Sequence, residues 1–485
     1  MLTTEEKQKN FFDEYIYAHL VPVDHELQEI ARRIDFSFVE EEVADLYSRN
    51  TGRPAYPAII LFKMLFLEFY ANLSDVEVSR QCQYNLLYRS FIGLGIKEPT
   101  PDDTTLVVFR RRLGEERFAR IFHRLVEQCQ KQGLLEERLK IVDATHVVAN
   151  IAVPNTVNLL RQARRQVIKT IEKETRTTRP DLRQEYQTEQ PIYHQPSAEV
   201  LSREVNLSQK LVQEVKGNYR EEVEEKVVLL EKILDPQAEE KISSVTDTDA
   251  RFGHKTPSKA FVGYKVHVAE DTNDIVTSVS LLGGNENEGA HLVALLQGEE
   301  ERGLKTESVA ADALYDSAGN RGYLQQRGIQ AYIPFRRQSK QIKRLTYLPD
   351  QDVVVCPAGE SCVSRTRQVQ GTLYLFSVNQ CQSCLQQDGC RPLNGGRARF
   401  WLSDNYKYTL RMPAQAREIA EKERKRIERK FGEAKLWHAL GRARYWGKAK
   451  VAIQAFLTFL VLNAKRMVKL LMPLEHSMIN LAIQS

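Results

Sequence analysis

Several things this chain has little of narrow its range before any motif is read. A membrane helix needs ~20 apolar residues, and the longest uncharged apolar window near either end is shorter than that. The longest window near either end, Val451 to Leu462, is interrupted by Gln454 and Thr458 and reads as a buried helix. The first residues, MLTTEEKQKNFFDEY, carry acids and no apolar stretch leading to small residues, so a cytoplasmic address is expected rather than secretion. Cysteine is sparse, seven in 485 residues, and in a reducing compartment these are thiols or metal ligands rather than disulfides. The net charge of +5 is too small to argue for nucleic acid by itself. A G-x-x-x-x-G-K-[ST] phosphate loop, a G-x-G-x-x-G dinucleotide fingerprint and a compact nucleophile motif are all missing.

What is there is a globular composition, 42% hydrophobic and 27% charged, long enough for about three domains. The pattern is that of a mixed α+β chain. Residues 1–135 read as helical, with amphipathic runs such as YPAIILFKMLFLEFY and almost no strand-like alternation. Within them PTPDDTTLVVFRRRLG starts a helix at the Asp102, Asp103, Thr104 cluster and closes it with Arg110, Arg111 and Arg112. A DNA-binding bundle and a plain helical domain suit this region equally. At Leu139 the period changes: LKIVDATHVVANI packs β-branched residues around Asp143, as a buried strand does. Residues 157–244 return to charged helical spacing and predict an inserted hairpin or coiled arm. Strands follow over Ala260–Ala269, Ile275–Leu282, Ser308–Asp312 and Gln330–Phe335, with a helical run at Gly289–Arg302. Residues 136–156 and 245–335 thus form a five-stranded mixed sheet with helices on its faces.

Residues 336–410 open on RRQSKQIKR, where Arg336 and Arg337 begin either a solvated loop or a phosphate contact. This segment also holds five of the seven cysteines. Cys381 and Cys384 form a CxxC that Cys356 and Cys390 could complete into a Zn²⁺ thiolate site, with Cys362 as a substitute; scattered reduced thiols are the alternative. Residues 411–485 form C-terminal helices, with Trp437 and Trp446 as core or flanking residues. Positive charge concentrates here: Arg411 to Lys450 hold thirteen Lys or Arg against five Glu, an excess of eight that exceeds the whole chain's. In EKERKRIERKFGEAK, Arg424, Glu428 and Lys435 are four and seven positions apart and share a helix face.

Three acids stand out: Asp143 in one strand, Asp312 at the end of another, Glu428 on a basic helix. Hard divalent ions such as Mg²⁺ prefer oxygen ligands, and a pair of them suits phosphodiester displacement better than these acids suit general acid/base work. The segments VDATHV, ADALYDS and IERKFGEAK, in this order, resemble the three motifs of the DDE transposases of bacterial insertion sequences. The third motif of that family reads Tyr, two residues, Arg, three, Glu, six, Lys. Arg424, Glu428 and Lys435 match it by spacing, while Glu421 stands in the tyrosine's place. SRQCQYNLLYRSFIGL, DDTTLVVFRRRLG, DTDARFGHK and FVGYKVHV, with the cysteine-rich insertion, are similar to the insertion-sequence-1182 group.

The resemblance implies a ribonuclease-H-like catalytic domain with Asp143, Asp312 and Glu428 as its Mg²⁺- or Mn²⁺-binding catalytic triad. It implies metal-dependent cleavage at the element's ends and attack of the freed 3′-hydroxyls on target DNA. Arg424 and Lys435 would contact DNA near the cleaved phosphate, with Arg429, Lys430, Arg336 and Arg337 as further phosphate contacts. Double-stranded DNA is the expected partner, and a homodimer follows from the need to handle two ends. The alternatives are a metal-dependent nuclease without strand transfer and a DNA-binding protein whose acids are structural.

Overall fold

The computed structural model describes residues 11–47, 55–187, 191–192, 194–239, 241–256, 258–334, 345–369, 371–386, 398–404, 407 and 414–484. Its β-branched segments assemble into one mixed sheet: β1 (Leu139–Val148), β2 (Arg251–Thr256), β3 (Lys259–Asp271), β4 (Val276–Gly283), β5 (Ser308–Ala310) and β6 (Gln330–Tyr332). β1 is central, antiparallel to β3 and parallel to β5, and β6 extends the parallel half. Along the other edge of β3, β4 pairs over Tyr264–Glu270 and β2 over Lys259–Gly263, so the two share that edge end to end. All five expected strands are present. β2 is a sixth: RFGHKT has no alternating β-branched pattern, and it pairs because β3 overhangs β4 and offers an unsatisfied edge.

Local signals set the helix ends. Ser74 and Glu77 form a reciprocal capping box at Asp75–Tyr84, and Asp102 accepts the N–H of Thr105 at 2.7 Å to start Asp103–Lys131. Gly114, at φ 68°, breaks that second run into two helices end to end, so the arginine triplet does close the first. Arg110 is not left at the helix terminus, however. It is buried, with its guanidinium 2.9 Å from Glu68, which Arg444 also reaches at 2.9 Å.

That ion cluster marks a joint. The apolar helix Lys448–Gln484 lies against Glu26–Arg33, Ala58–Tyr70, Asp103–Lys131 and β4. Its Lys448–Met472 portion is long and apolar enough to cross a membrane by length and composition, yet 89% of its most apolar window is buried in the protein. One hydrophobic cluster runs from Leu27, Phe62 and Phe122 to Val266 and Val268 on β3 and to Leu457. The N-terminal helices therefore share the sheet's core. The insertion, helices Thr156–Thr175, Pro180–Tyr186, Ala198–Val215 and Glu221–Leu234, has its own cluster, with Arg164 fully buried against Glu204 and Ser208.

The cysteine-bearing segment also has a core, built from Tyr347, Val354, Tyr374, Phe376, Phe400 and Leu402. At its centre Asp352 accepts from Tyr347 Oη and Lys407 Nζ, each at 2.8 Å, and from Tyr374 Oη at 2.5 Å. Those bonds hold its carboxyl down at about 2 against its partial burial.

Candidate active site

β5 pairs with β1 only over Leu139–Ile141, so beyond Val142 the two parallel strands part. Asp143 sits on β1 at this opening, and Asp312 lies two residues past the end of β5. Asp312 thus lies just past the carboxyl end of β5, and Asp143 lies midway along β1, two residues beyond the last pair with β5. Each has a local bond to the backbone: Asp143 Oδ1 accepts the N–H of Ala144 at 2.8 Å, and Asp312 Oδ1 accepts that of Leu314 at 2.7 Å. Gly289 supports the turn after Asp312 so closely that a Cβ there would lie 2.3 Å from the carbonyl oxygen of Leu314.

The helix Ala414–Trp437 lies across β1, β5 and β6. Ile427, Phe431 and Ala434 are the buried residues that anchor it, leaving Glu428 exposed at the margin and Arg424 half-buried. Asp143 feels both distant acids. Its carboxyl is pushed up to about 7, first by burial and then by the charges of Asp312 and Glu428, against the opposing Ala144 N–H and Arg424.

Among the described residues no three His, Cys, Asp or Glu side chains are drawn together closely enough to hold an ion. Asp312 and Glu428 act on Asp143 through their charges without being drawn into one ligand set with it among the described residues. The donors still suit a hard divalent ion: they are carboxylate oxygens, and their mutual repulsion is what such an ion relieves. Asp143, Asp312 and Glu428 would hold it, and it would supply charge neutralisation at a phosphate.

The cysteines differ more from expectation. Cys356, Cys362, Cys381 and Cys384 do not gather into a ligand set, and Cys390 lies outside the described residues. The N–H groups of Ala398 and Gln386 approach the sulfurs of Cys381 and Cys384 at 3.3 and 3.4 Å. The zinc site expected from the CxxC is not supported, and the segment has its own core in the aromatic cluster around Asp352.

The basic residues divide by helix face. Arg424 turns toward the acids, with Nε buried and unpartnered among the described residues. Lys435 Nζ is 3.3 Å from His146 Nδ1 on β1; burial and Lys255 lower it to about 8. Arg429 is exposed. Lys430 corrects the expectation of a phosphate contact: it points inward, pairs with fully buried Glu270 at 3.2 Å and donates to the carbonyl of Asp274. Arg336 and Arg337 lie outside the described residues.

Two residues with no assigned role complete the surroundings. Tyr315 is fully buried, its hydroxyl without a partner among the described residues, and burial and the charges of Asp143, Glu288 and Asp312 keep it protonated. His267, opposite Ala144 on β3, stacks on that phenol at 5.7 Å with neither ring nitrogen bonded; burial depresses it to about 3. The signal available in sequence was a histidine inside the apolar strand YKVHVA and a tyrosine three residues after Asp312.

Residues 16–112 match a family described as Transposase domain (DUF772), and residues 232–464 match one described as Transposase DDE domain. No curated protein is similar enough to be matched to the chain. The DDE match takes in Asp312 and Glu428 and begins after Asp143, whose place beside them rests on the sheet geometry. It implies a ribonuclease-H-like fold for this mixed sheet. The two matches together span more than half of the 485 residues, and the chain belongs to the DDE transposases.

Proposed function

We propose that this protein, of the insertion-sequence-1182 group by its sequence features, cuts the ends of its own element and joins the freed 3′-hydroxyls to target DNA. Asp143, Asp312 and Glu428 would hold the divalent ions, and Arg424 and Lys435 would neutralise phosphate charge beside them. The observation that carries this reading is that β1, β5 and the basic helix Ala414–Trp437 pack on one another, so that Asp143, Asp312 and Glu428 belong to contacting segments although the last two stand 169 and 285 residues from the first in sequence. Fold stability gives no reason to collect carboxylates at one strand mouth; a site built to be neutralised by Mg²⁺ does. Phosphoryl transfer asks chiefly for positioning and charge stabilisation, which rigid strand ends and a packed basic helix provide. Two copies acting on two ends in the cytoplasm complete the proposal.

The test uses purified full-length protein, a plasmid bearing the element's ends, and Mg²⁺ or Mn²⁺. Metal-dependent nicks at the ends, lost in Asp312→Asn, are expected. Transfer of a labelled 3′-end into a second duplex separates transposition from simple nuclease action. An Asp312→Asn protein that nicks like the parent would end the proposal.

A further inference from the structure

Only three tryptophans occur in the chain, and two of them, Trp437 and Trp446, follow Glu428 in sequence and are exposed. Trp437, the last residue of the glutamate helix, is 66% exposed, Leu436 beside it 71%, and Trp446 53%. A large apolar side chain left in water singly needs no account, but several together mark a contact surface. The segment between the indoles is tied to the end of β1: Val148 N–H bonds the carbonyl of Gly441, Ala443 N–H bonds that of Val148, and Trp446 Nε1 donates to Asn150 O at 3.1 Å. Val148 and Val153 add exposed apolar area on the strand side.

Position and charge say what meets this surface. From Glu428 to Trp437 the helix rises about 14 Å, and from Asp143 to Val148 the strand runs about 16 Å. The Lys435–His146 contact ties the two elements together partway along. Both lead from the acids toward the indoles. In the same segment Arg442 and Lys450 are exposed, and Ala434 through Ile453 holds no acid of its own; Lys448 is engaged within the protein, its Nζ 3.2 Å from Glu286 and its backbone N–H on Asp249. A second copy of this chain would bring its own positive segment to such a surface. Aromatic rings interleaved with cations are instead the chemistry that holds unpaired nucleotides, the bases stacking and the cations tracking the backbone.

We propose that Trp437 and Trp446 form a stacking platform for unpaired bases of a DNA strand leaving the active site. The platform rests on the DNA-cleaving reading for its biological purpose, but its binding chemistry can be measured without cleavage. The probes are a blunt duplex and the same duplex carrying a single-stranded oligothymidine tail, titrated into full-length protein without metal. Tighter binding of the tailed duplex is expected, with quenching of tryptophan emission that the blunt duplex does not produce. Trp437→Ala and Trp446→Ala should each remove about tenfold of affinity for the tailed probe while leaving blunt-duplex affinity in place. Trp437→Phe and Trp446→Phe should restore most of it.

Equal affinity for the two probes, or alanine variants that bind the tail like the parent, would overturn the platform. So would alanine variants that change the oligomeric state on gel filtration, since the surface would then be a protein interface. A protein that prefers the tail yet never nicks DNA would sink the enzymatic reading and leave the platform standing. One that nicks and shows no preference does the reverse.

Discussion

Replacing the residue expected to be most important for chemistry should make the metal-free protein more stable. Asp143 titrates near 7 in the fold against an ordinary value of 3.8. Between those limits the folded state binds a proton that the unfolded chain has released, so stability is lost as pH rises through the window. At about 1.36 kcal/mol per unit of difference, the raised value costs the fold about 4 kcal/mol at pH 8, where Asp143 is ionised in both states, and about 2 kcal/mol at pH 5, where folding must return a proton to an acid that the unfolded chain has ionised. Asn imitates the protonated acid and carries none of this cost. In a chelating buffer, Asp143→Asn should therefore raise the urea midpoint strongly at pH 8 and by about half as much at pH 5. The N-terminal helices and the sheet share one hydrophobic cluster, so the unfolding monitored is that of the body containing the site. Adding Mg²⁺ at pH 8 should stabilise the parent more than the variant, which has lost one of the three carboxylates that the ion offsets. A variant no more stable than the parent at pH 8, or a gain that does not shrink toward pH 5, would refute the reasoning about like charges at this site.

Lys430→Met should cost about 3–5 kcal/mol of stability by stranding buried Glu270, and leave duplex affinity unchanged; a shallower salt dependence of DNA binding with stability intact would return Lys430 to the phosphate contacts. Gly289→Ala places a methyl group against the backbone of Leu314 and must displace the turn that holds Asp312. About a hundredfold loss of nicking is expected for a shift near 1 Å, with a cooperative unfolding transition retained. Tyr315→Phe deletes a buried hydroxyl that has no partner among the described residues, so its metal-free thermal midpoint should be no lower than the parent's; a clear fall would show that the hydroxyl is bonded.

Much of the fold could be read along the chain because its signals are local. LKIVDATHVV and AFVGYKVHVA declare strands by their β-branched spacing, and Asp102 and Gly114 fix helix ends by their own chemistry. β2 could not be read this way, since RFGHKT is a strand only through the overhang of β3. Nor could the common core: Val451 to Leu462 is apolar enough to be buried, but nothing in it says that its partners are Leu27 and Phe122 on one side and β4 on the other.

The candidate site divides along the same line, and Lys430 shows why. Counted as charge it belongs with Arg424, Arg429 and Lys435, but at 100° per residue it stands 200° around the helix from Glu428, whereas Arg424 and Lys435 lie within about 40° of that acid. Ile427, Phe431 and Ala434 fix which arc is buried, and Lys430 falls on its far border, where Glu270 and Asp274 receive it. The helical phase already contained this distinction. What it lacked was an acid on β3 to show that the inward cation had a partner, and that acid is 160 residues earlier in the chain. Burial in the assembled sheet is the first cause of the raised carboxyl of Asp143, and the charges of Asp312 and Glu428 add to it, so neither cause is encoded in the local pattern around that residue.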